Sequence, residues 1–466
     1  MNRNIIKGII FAVLSISIIG ISVAGCMYFK NQNNHYKIEN EQERTPQGNL
    51  VESPENNTGN KSNQQDNTTN NSSSEENGGN NENTVENVSD TPNTVGNKED
   101  DINKAGSGNT GSDDNTNAPS ISHINKPDNV KALYLTGWTA GTTNSLNRFV
   151  ELANKTEINS YVVDIKDDDG LVGYESDLPA VKEINAWMKK YNVEKVIKAF
   201  HDNDIYVIGR LVCFKDPVLS SKRADLAVKN SSGGLWRDNN DLTWLDPYNR
   251  DSWPYLIDIA KEAVKKGFDE IQFDYIRFPN DGDKKAMNFN AEGITKYDLI
   301  NEFISYAKKE LPDIVLSADV FGIICESPED TEDIGQYLEL IGKDIEYISP
   351  MVYPSHYAFG QIVNGVRFGK PDFEPYAVVY NSLLKAKNRI SAVENYKADI
   401  RPYLQGFTAP WLRKGNYQVY GPTQIREQIK AVYDAGFHEW IIWDPSNKYH
   451  EDAFEIAENV VGIIEN

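Results

Sequence analysis

From residue 131 onward, short apolar runs rich in β-branched and aromatic residues alternate with amphipathic stretches of helical period. Such alternation is typical of βα units wound around a parallel sheet. Eight runs are predicted strands: Ala132–Trp138, Ser160–Lys166, Ile205–Phe214, Glu270–Phe278, Val315–Phe321, Ile345–Tyr353, Tyr403–Phe407 and Trp440–Asp444. Eight strands, each followed by a crossover, predict an α/β protein with a closed (β/α)₈ TIM barrel. An open doubly wound sheet is the alternative, weakened because the sequence has no Gly-rich phosphate loop.

Two of the helical stretches between the strands have well-marked ends. Ser252–Lys266 is followed by Gly267, and Pro422–Ala435 is followed by Gly436. Proline in the first turn and glycine just past the last turn are favoured at helix ends. The sequence therefore predicts a helix over each stretch, leading directly into the next strand.

The barrel domain is predicted over residues 126–466, and the chain before it has a different composition. Residues 27–125 are rich in Asn, Ser and Glu, and residues 30–125 carry 16 acidic and 6 basic side chains with almost no aromatic ones. Such a segment buries too little apolar surface to offset its chain entropy. We expect residues 27–125 to form a disordered linker.

Residues 1–26 have the pattern of a targeting segment. Arg3 and Lys7 precede an apolar run over 9–23, which ends in Val-Ala-Gly before Cys26. Small residues just before a cysteine resemble the lipobox of bacterial lipoproteins, which implies cleavage and lipidation at Cys26. An uncleaved transmembrane helix is the alternative, because the apolar segment is long enough to span a bilayer. Both interpretations predict an extracytoplasmic protein anchored to the membrane.

Charge and cysteine content narrow the classes of partner. The chain carries a net charge of −22 and has no basic stripe, which argues against nucleic acid and leaves neutral or cationic polymers. Cys213 and Cys325 are expected to be buried free thiols, with a bridge between them as the alternative. Only six histidines occur, without metal-ligand spacing. We therefore expect no metal and no cofactor, disfavour a metal-assisted phosphodiesterase or deacetylase, and expect a monomer.

Charged side chains interrupt several predicted strands near their carboxyl ends, where barrel enzymes gather catalytic residues. Asp164 and Lys166 alternate onto one face of the second strand, and Arg210 interrupts the third. Asp274 lies in the fourth strand and Asp319 in the fifth. A charge inside a buried strand is costly unless it is paired or functional. The pattern therefore predicts one polar pocket at the barrel mouth.

Asp274 and Asp319 are the predicted catalytic pair. They lie on adjacent strands, so their carboxyl groups are expected within several Å of each other. Glycosidic bond cleavage uses one carboxyl as an acid and a second as a nucleophile or base. Two close carboxylates raise the pKa of one of them, which suits an acid. The alternative is a purely structural ring of salt bridges, such as Asp164 with Lys166 or Asp274 with Arg277.

Other polar and aromatic residues near the strand ends are predicted to bind substrate. This set is Asp164, Lys166, Arg210, Asp246, Arg277, Glu326, Tyr353, His356, Gln405 and Trp443. Aromatic rings at such positions suit stacking on sugar faces, although they also fill ordinary cores. Asp246 precedes a proline and a helix, so a capping role is the alternative for it.

Three motifs resemble those of a bacterial glycoside hydrolase family long labelled a domain of unknown function. They are Phe273–Pro279 (FDYIRFP), Ser317–Gly322 (SADVFG) and Met351–Tyr357 (MVYPSHY), and the resemblance extends over about residues 128–460. It implies a TIM barrel distantly similar to the alpha-amylase-type hydrolases. Those enzymes place an Asp nucleophile at strand 4 and an acid/base carboxylate at strand 5. Carried over, Asp274 is the nucleophile and Asp319 the general acid/base.

This chain departs from the amylase-type pattern at three positions. Strand 5 offers the shorter Asp319 where those enzymes have Glu, and strand 7 offers the neutral Gln405 where they have Asp. Their essential arginine precedes the nucleophile, whereas Arg277 follows it here. Because of these departures, Glu326 is an alternative general acid. Asp164 is an alternative candidate for the third carboxylate of those enzymes.

The sequence thus predicts a surface-anchored glycoside hydrolase that cleaves a cell-wall or extracellular polysaccharide with two carboxylates. The alternative is a non-catalytic barrel that binds carbohydrate or another surface protein. That alternative predicts that the two carboxylates lie more than roughly 10 Å apart. This is beyond the separation used by retaining or by inverting glycosidases.

Overall fold

The computed structural model describes residues 123–291 and 293–457. The predicted signal or anchor at residues 1–26, with the lipidation site Cys26, lies outside the described residues, as does nearly all of the predicted linker at 27–125. Among the helices that the model does describe, none combines the length and the apolar character needed to cross a bilayer.

Eight parallel strands form a closed barrel, as predicted. They are β1 (Lys131–Leu135), β2 (Ser160–Lys166), β3 (Tyr206–Val212), β4 (Glu270–Asp274), β5 (Val315–Phe321), β6 (Tyr347–Met351), β7 (Tyr403–Gln405) and β8 (Trp440–Trp443). Each strand pairs with the next along the chain. The pairing of β8 with β1, which begins at Lys131 and Trp440, closes the sheet.

Helices cover the outside of this barrel. They are α1 (Gly137–Gly141), α2 (Thr143–Lys155), α3 (Pro179–Glu183), α4 (Val193–His201), α5 (Pro217–Lys222), α6 (Trp253–Lys265), α7 (Lys296–Glu310), α8 (Leu338–Ile341), α9 (Pro375–Ile390) and α10 (Pro422–Asp434). The predicted helices at Ser252–Lys266 and Pro422–Ala435 are confirmed as α6 and α10.

The loops add short elements to this frame. The two antiparallel pairs are Lys229–Asn230 with Met287–Asn288, and Gln361–Val363 with Val366–Phe368. Asp399–Ile400 runs alongside β6. Single turns of 3₁₀ helix lie at Ala224–Leu226, Arg250–Ser252, Lys284–Ala286, Gly322–Cys325, Pro354–His356, Pro371–Phe373, Pro410–Leu412 and Glu451–Ala453.

Several predicted strands were too long, and β4 shows the reason. The prediction continued to Phe278, but β4 ends at Asp274 because Tyr275 adopts a φ of +51°. A left-handed residue breaks the extended backbone, so the chain turns out of the barrel directly after Asp274. The apolar residues that follow are buried in the loop, which is why their pattern imitates a strand.

The hydrophobic core has two shells. The outer shell lies between strands and helices and is rich in aromatic pairs such as Phe149 with Tyr161. The inner shell fills the barrel with residues such as Ala132, Val162 and Ile441. Cys213 and Cys325 are buried free thiols, as expected.

A buried ion pair network fills the amino-terminal end of the barrel. Arg401 is fully buried and donates to Glu270 Oε1 and Glu439 Oε2, each at 2.7 Å. Ser317 also donates to Glu270 Oε1, at 2.6 Å. These groups close the floor, so a ligand reaches the barrel interior from the carboxyl-terminal mouth.

Gly322 allows β5 and the segment after β6 to approach closely. A Cβ added at Gly322 would lie 2.3 Å from the carbonyl oxygen of Met351 and 2.9 Å from its carbonyl carbon. Backbone atoms of a barrel strand cannot move aside as a flexible side chain can. We therefore expect Gly322→Ala to lower the free energy of unfolding by about 1–3 kcal/mol, the usual cost of overpacking.

Urea denaturation checks this expectation, with Gly369→Ala as the matched control. A Cβ at Gly369 meets no heavy atom within 4 Å, so the control should unfold like the wild type. Equal stability of the two variants would show that the β5–β6 approach is not tight.

Candidate active site

Arg210, on β3, binds carboxylates from both neighbouring strands. Its Nη1 donates to Asp164 Oδ1 at 2.7 Å, and its Nε and Nη2 donate to Asp274 Oδ2 at 2.9 and 2.6 Å. The strand register pairs Arg210 with Asp164 on one side and with Gln272, two residues before Asp274, on the other. The guanidinium therefore joins two carboxylates at the mouth of the barrel.

The backbone after β4 also fixes Asp274. The amide of Tyr275 donates to Asp274 Oδ1 at 2.6 Å, so both carboxylate oxygens accept hydrogen bonds. The left-handed conformation of Tyr275 then turns the chain away from the strand. Three donors that all favour an anion hold Asp274 in one orientation.

Asp319, on β5, lies beside Asp274 in a different environment. The register that pairs Phe273 with Ala318 makes Asp274 and Asp319 the next residues on their strands. Asp319 Oδ1 is buried without a hydrogen-bond partner among the described residues, and Oδ2 is 3.9 Å from Arg210 Nε. Burial, and then the charge of Asp274, raise the pKa of Asp319 well above its ordinary value. Asp319 therefore keeps its proton to higher pH than an exposed aspartate does.

The distances to Arg210 limit the separation of the two carboxyl groups. Asp274 Oδ2 and Asp319 Oδ2 lie 2.9 and 3.9 Å from the same Nε atom, so they are at most about 6.8 Å apart. This limit excludes a separation beyond the roughly 5–9.5 Å used by the carboxylate pairs of glycosidases. The expectation that the pair lies within several Å is confirmed.

Asp164 is buried, and each of its two oxygens accepts a hydrogen bond from the protein. Its Oδ2 accepts a hydrogen bond from Tyr134 Oη at 2.7 Å, and its Oδ1 accepts one from Arg210. Burial, and then the charge of Asp167, raise the pKa of Asp164 to about 7. Asp164 thus contributes to the site through Arg210.

The alternative prediction, ion pairs of Asp164 with Lys166 and of Asp274 with Arg277, is wrong. The register of β2 against β3 shifts between Asp164 and Lys166, so Lys166 is paired with Leu211, an outer-shell residue. Its ammonium is fully buried, bound to Asp216 Oδ2 at 3.0 Å and Val212 O at 2.8 Å. Lys166 therefore has no surface in the mouth in this conformation.

Arg277 lies among aromatic rings instead of against Asp274. Its guanidinium carbon is 4.6 Å from the ring centre of Phe321 and 4.7 Å from that of Tyr275. Nη1 donates to Phe278 O at 3.0 Å and to Asn280 Oδ1 at 3.1 Å. Arg277 thus supports the loop that follows Asp274.

Three aspartates after β2, which we name the acid loop (Asp167, Asp168 and Asp169), line the mouth next to Arg210. Lys190 Nζ lies 3.5 Å from Asp167 Oδ2 and 2.9 Å from Asp169 Oδ2. Lys215 Nζ lies 2.6 Å from Asp168 Oδ2. The loop therefore extends the charged half of the mouth.

The loops after β6 and β7, with the end of β8, form the other half of the mouth, which we name the aromatic wall. Tyr353 stacks on Trp443 with ring centres 5.6 Å apart and planes inclined by 19°. Phe407 stacks on Trp411 at 5.7 Å, and His356 lies edge-on to both Phe407 and Trp411. Surrounding protein lowers the pKa of His356 to about 4, yet the residue keeps exposed surface. His356 therefore lies at the exposed edge of the aromatic wall.

The remaining predicted residues lie apart from Arg210. Glu326 is half-buried and accepts a hydrogen bond from the Asn364 amide at 2.7 Å, in the hairpin after β6. Asp246 accepts from the Tyr248 amide at 3.0 Å within its own loop, and the capping alternative is wrong, because Asn249 and Ser252 hold the N-cap positions that follow. Gln405 is buried and accepts from the Ser355 amide at 3.0 Å. These three contacts hold loops together.

The sequence did not single out Tyr134, Lys190 or Lys215. Tyr134 had a usable signal, because alternation along β1 places it on the inner face with Ala132. The two lysines belong to loops, where no periodicity applies. Within the described residues, no group of three or more His, Cys, Asp or Glu side chains has an arrangement that could hold a metal ion.

A family model described as "Putative glycosyl hydrolase domain" matches residues 132–449. A search of curated proteins finds no match. Among solved structures, a hypothetical protein from Ruminiclostridium thermocellum is 71% identical, with 41% of this chain and 99% of that chain covered and a TM-score of 0.40. The PgaB (BpsB) glycoside hydrolase domain from Bordetella bronchiseptica is 12% identical, with 68% and 94% covered and a TM-score of 0.50. The second likeness shows a shared fold.

Proposed function

Since the chain belongs to the glycosyl hydrolase domain family whose model matches residues 132–449, we propose that it cleaves a cell-wall or extracellular polysaccharide with Asp274 and Asp319. The different contacts of the two carboxyl groups support this proposal. Arg210 binds Asp274 closely at 2.6 Å, while Asp319 beside it is buried with an unpartnered oxygen. Two adjacent carboxyl groups in opposite protonation states are what acid-assisted glycoside cleavage requires.

In this mechanism Asp274 attacks the anomeric carbon, while Asp319 gives its proton to the glycosidic oxygen. The bond between that carbon and oxygen breaks, the shortened chain leaves as an alcohol, and a glycosyl ester forms on Asp274. Asp319, now ionised, takes a proton from water, which attacks the anomeric carbon and releases Asp274. Arg210 orients the Asp274 carboxylate for attack and binds the carboxylate that is released in the second half-reaction.

The carboxyl separation favours this retaining route. Retaining enzymes hold the two groups roughly 5–5.5 Å apart, and inverting enzymes roughly 6.5–9.5 Å apart. The upper limit of about 6.8 Å, set by the 2.9 and 3.9 Å distances to Arg210 Nε, overlaps only the lower edge of the inverting range. It also disfavours the non-catalytic barrel, for which a separation beyond roughly 10 Å was expected.

The aromatic wall supports a polysaccharide as the substrate. Stacked pairs such as Tyr353 with Trp443 offer flat apolar faces close to the charged half of the mouth. Sugar rings have apolar faces that pack on such surfaces, while their hydroxyl groups meet polar side chains. Binding along both halves would align a glycosidic bond with Asp274 and Asp319.

The role of Asp319 leads to a specific prediction. Asp319→Asn removes the proton donor, so we expect kcat on the polysaccharide to fall by about 10²–10⁴-fold. An aryl glycoside with a good leaving group needs little protonation and should still form the glycosyl ester, with azide restoring turnover. In the wild type, the rate of glycosyl ester formation should fall at high pH as Asp319 loses its proton. This fall should be absent in Asp319→Asn.

Glu326→Gln is the matched control, because Glu326 is the rival acid. It binds the Asn364 amide and should be dispensable for proton donation. A loss confined to Glu326→Gln, with Asp319→Asn active on the polysaccharide, would transfer the acid role to Glu326.

The protein acts outside the cytoplasm in this proposal, tethered to the membrane through its N-terminus. The apolar run over 9–23 followed by Cys26 supports a lipid anchor. We expect Cys26→Ser to prevent lipidation, as measured by mass spectrometry of the N-terminal peptide. An unmodified Cys26 in the wild type, with residues 1–25 retained, would identify a transmembrane anchor instead.

A further inference from the structure

Tyr134, on the inner face of β1, is held in place by its main chain and by its packing. Its carbonyl oxygen accepts hydrogen bonds from Asn447 Nδ2 at 2.9 Å and from Tyr449 Oη at 2.6 Å. Its ring is buried, and the ring centre lies 6.3 Å from that of Trp443. The hydroxyl group of Tyr134 is therefore fixed at one place in the mouth of the barrel.

Tyr134 contacts both members of the ion pair that Arg210 forms with Asp164. The hydroxyl donates to Asp164 Oδ2 at 2.7 Å, and the guanidinium carbon of Arg210 lies 5.7 Å from the centre of the Tyr134 ring. The other Asp164 oxygen accepts from Arg210 Nη1 at 2.7 Å. A cation over an aromatic face and a charge-assisted hydrogen bond are both stabilising. Tyr134 thus fixes Asp164 and Arg210 relative to each other.

The same guanidinium binds the proposed nucleophile. Nε and Nη2 of Arg210 donate to Asp274 Oδ2 at 2.9 and 2.6 Å, while Nη1 donates to Asp164. A guanidinium is planar and rigid, so a rotation that breaks its contact with Asp164 also tilts the two donors that meet Asp274. The direction of the Asp274 carboxylate therefore depends in part on a contact at the other end of the Arg210 fork.

We propose that Tyr134 is a positioning residue for the nucleophile and that it acts through Asp164 and Arg210. The inference rests on the hydrolase function proposed above. A hydroxyl that donates to a carboxylate favours the ionised form, and ionised Asp164 is the partner that holds Arg210 Nη1. Loss of the hydroxyl leaves a buried Asp164 oxygen without its donor. Asp164 then takes up a proton more readily, and its contact with Arg210 weakens.

The pH dependence of this contact follows from the groups around Asp164. The charged and titratable groups that face it are Tyr134 on β1, Arg210 on β3, Asp167 in the acid loop, and Lys190 and Tyr191 in the segment before α4. Burial, and then the charge of Asp167, raise the pKa of Asp164 to about 7, while Arg210 and the Tyr134 hydroxyl lower it. As pH falls through about 7, protonated Asp164 no longer attracts Arg210, and the fork on Asp274 loosens.

The pH profile of kcat for Tyr134→Phe and for the wild type, both as the full chain, tests this inference. Phenylalanine keeps the ring beside Arg210 and removes only the hydroxyl. We expect kcat on the polysaccharide to fall at neutral pH by about 10–100-fold, the scale of a small misplacement of reacting groups. The acidic midpoint of the profile should move up by about one pH unit, the effect of one hydrogen bond to a charged group.

Tyr161→Phe is the matched control. It removes a buried hydroxyl that donates to Phe149 O at 2.5 Å on the outer side of β2, so it should leave the pH profile unchanged even if it lowers stability. Asp164→Asn should remove the acidic midpoint near 7 altogether. Combining Asp164→Asn with Tyr134→Phe should add little to the loss from either, because both changes act through one contact.

Infrared difference spectra of the wild type against Asp164→Asn, with aspartate labelled by carbon-13, follow the protonation of Asp164 without any sugar. The same difference in the Tyr134→Phe chain should give a midpoint at higher pH. An unchanged midpoint, or additive losses of kcat, would overturn the inference even if the chain cleaves a polysaccharide. A raised midpoint in a chain that cleaves no polysaccharide would support the contact of Tyr134 with Asp164 and contradict the hydrolase function.

Discussion

Replacing Asp274 with asparagine should reduce kcat by about 10⁴–10⁶-fold, the range seen when single members of a catalytic triad are lost. Asparagine has nearly the same shape but no negative charge, so no glycosyl ester can form. Its amide oxygen can still accept from Arg210, which should keep the barrel folded. The release of reducing ends from the polysaccharide measures turnover, and circular dichroism on heating verifies the fold.

Asp177→Asn is the control for Asp274→Asn, since Asp177 is an exposed carboxylate on the outside of the barrel. It should retain wild-type turnover. Trapping with a fluorinated glycoside of the cleaved sugar should label Asp274 in the wild type. Unchanged turnover of Asp274→Asn, or a label on another residue, would remove Asp274 from the nucleophile's role.

Replacing Arg210 with methionine should cause the largest loss of stability. The change leaves Asp164 and Asp274 without their shared cation in a site that is largely closed to water. Breaking a buried ion pair by removing one partner costs about 3–5 kcal/mol. Urea denaturation should show that loss, together with loss of activity. Arg210→Lys keeps the charge but cannot bind both carboxylates in the same fork, so we expect an intermediate loss.

The stability loss should depend on pH in a defined direction. Arg210 lowers the pKa of Asp164, whose value in the folded protein is nevertheless raised to about 7. Without Arg210 this pKa rises further, and a carboxyl with a raised folded pKa favours the folded state in acid and loses that advantage as pH rises. The difference in unfolding free energy between wild type and Arg210→Met should therefore narrow as pH falls toward about 7, below which Asp164 is protonated in both folded proteins.

Arg223→Met provides the comparison for a surface ion pair. Arg223 binds Asp225 with both side chains mostly exposed, so its loss should scarcely change stability at any pH. If Arg210→Met unfolds like Arg223→Met, then Arg210 does not hold Asp164 and Asp274 together in solution.

The barrel could be predicted because its strands are apolar runs with regular spacing. Residues such as Val162 and Ile441 alternate with outward partners, and that pattern depends only on the local backbone. The ends of strands were less predictable. The turn after Asp274 depends on the left-handed conformation of Tyr275, which an aromatic residue rarely adopts and which its sequence context does not reveal.

The acidic residues of the candidate site could be predicted, but their partners could not. Asp274 and Asp319 were found because strand parity places them inside the barrel. Lys166 was assigned to the same face as Asp164, and the register shift between the two residues reversed that. The pairing of cations with carboxylates depends on such register shifts and on loop conformations. Lys215, for example, binds Asp168, which is 47 positions away in the sequence.

The proposed mechanism requires Asp319 to be a neutral acid beside Asp274, the carboxyl group that Arg210 binds. Infrared spectroscopy of the wild type against Asp319→Asn, with aspartate labelled by carbon-13, tests this without knowledge of the sugar. At neutral pH the difference spectrum should contain the carbonyl band of a protonated carboxyl group that belongs to Asp319. A carboxylate band in its place would show that Asp319 is ionised and would contradict its role as the acid.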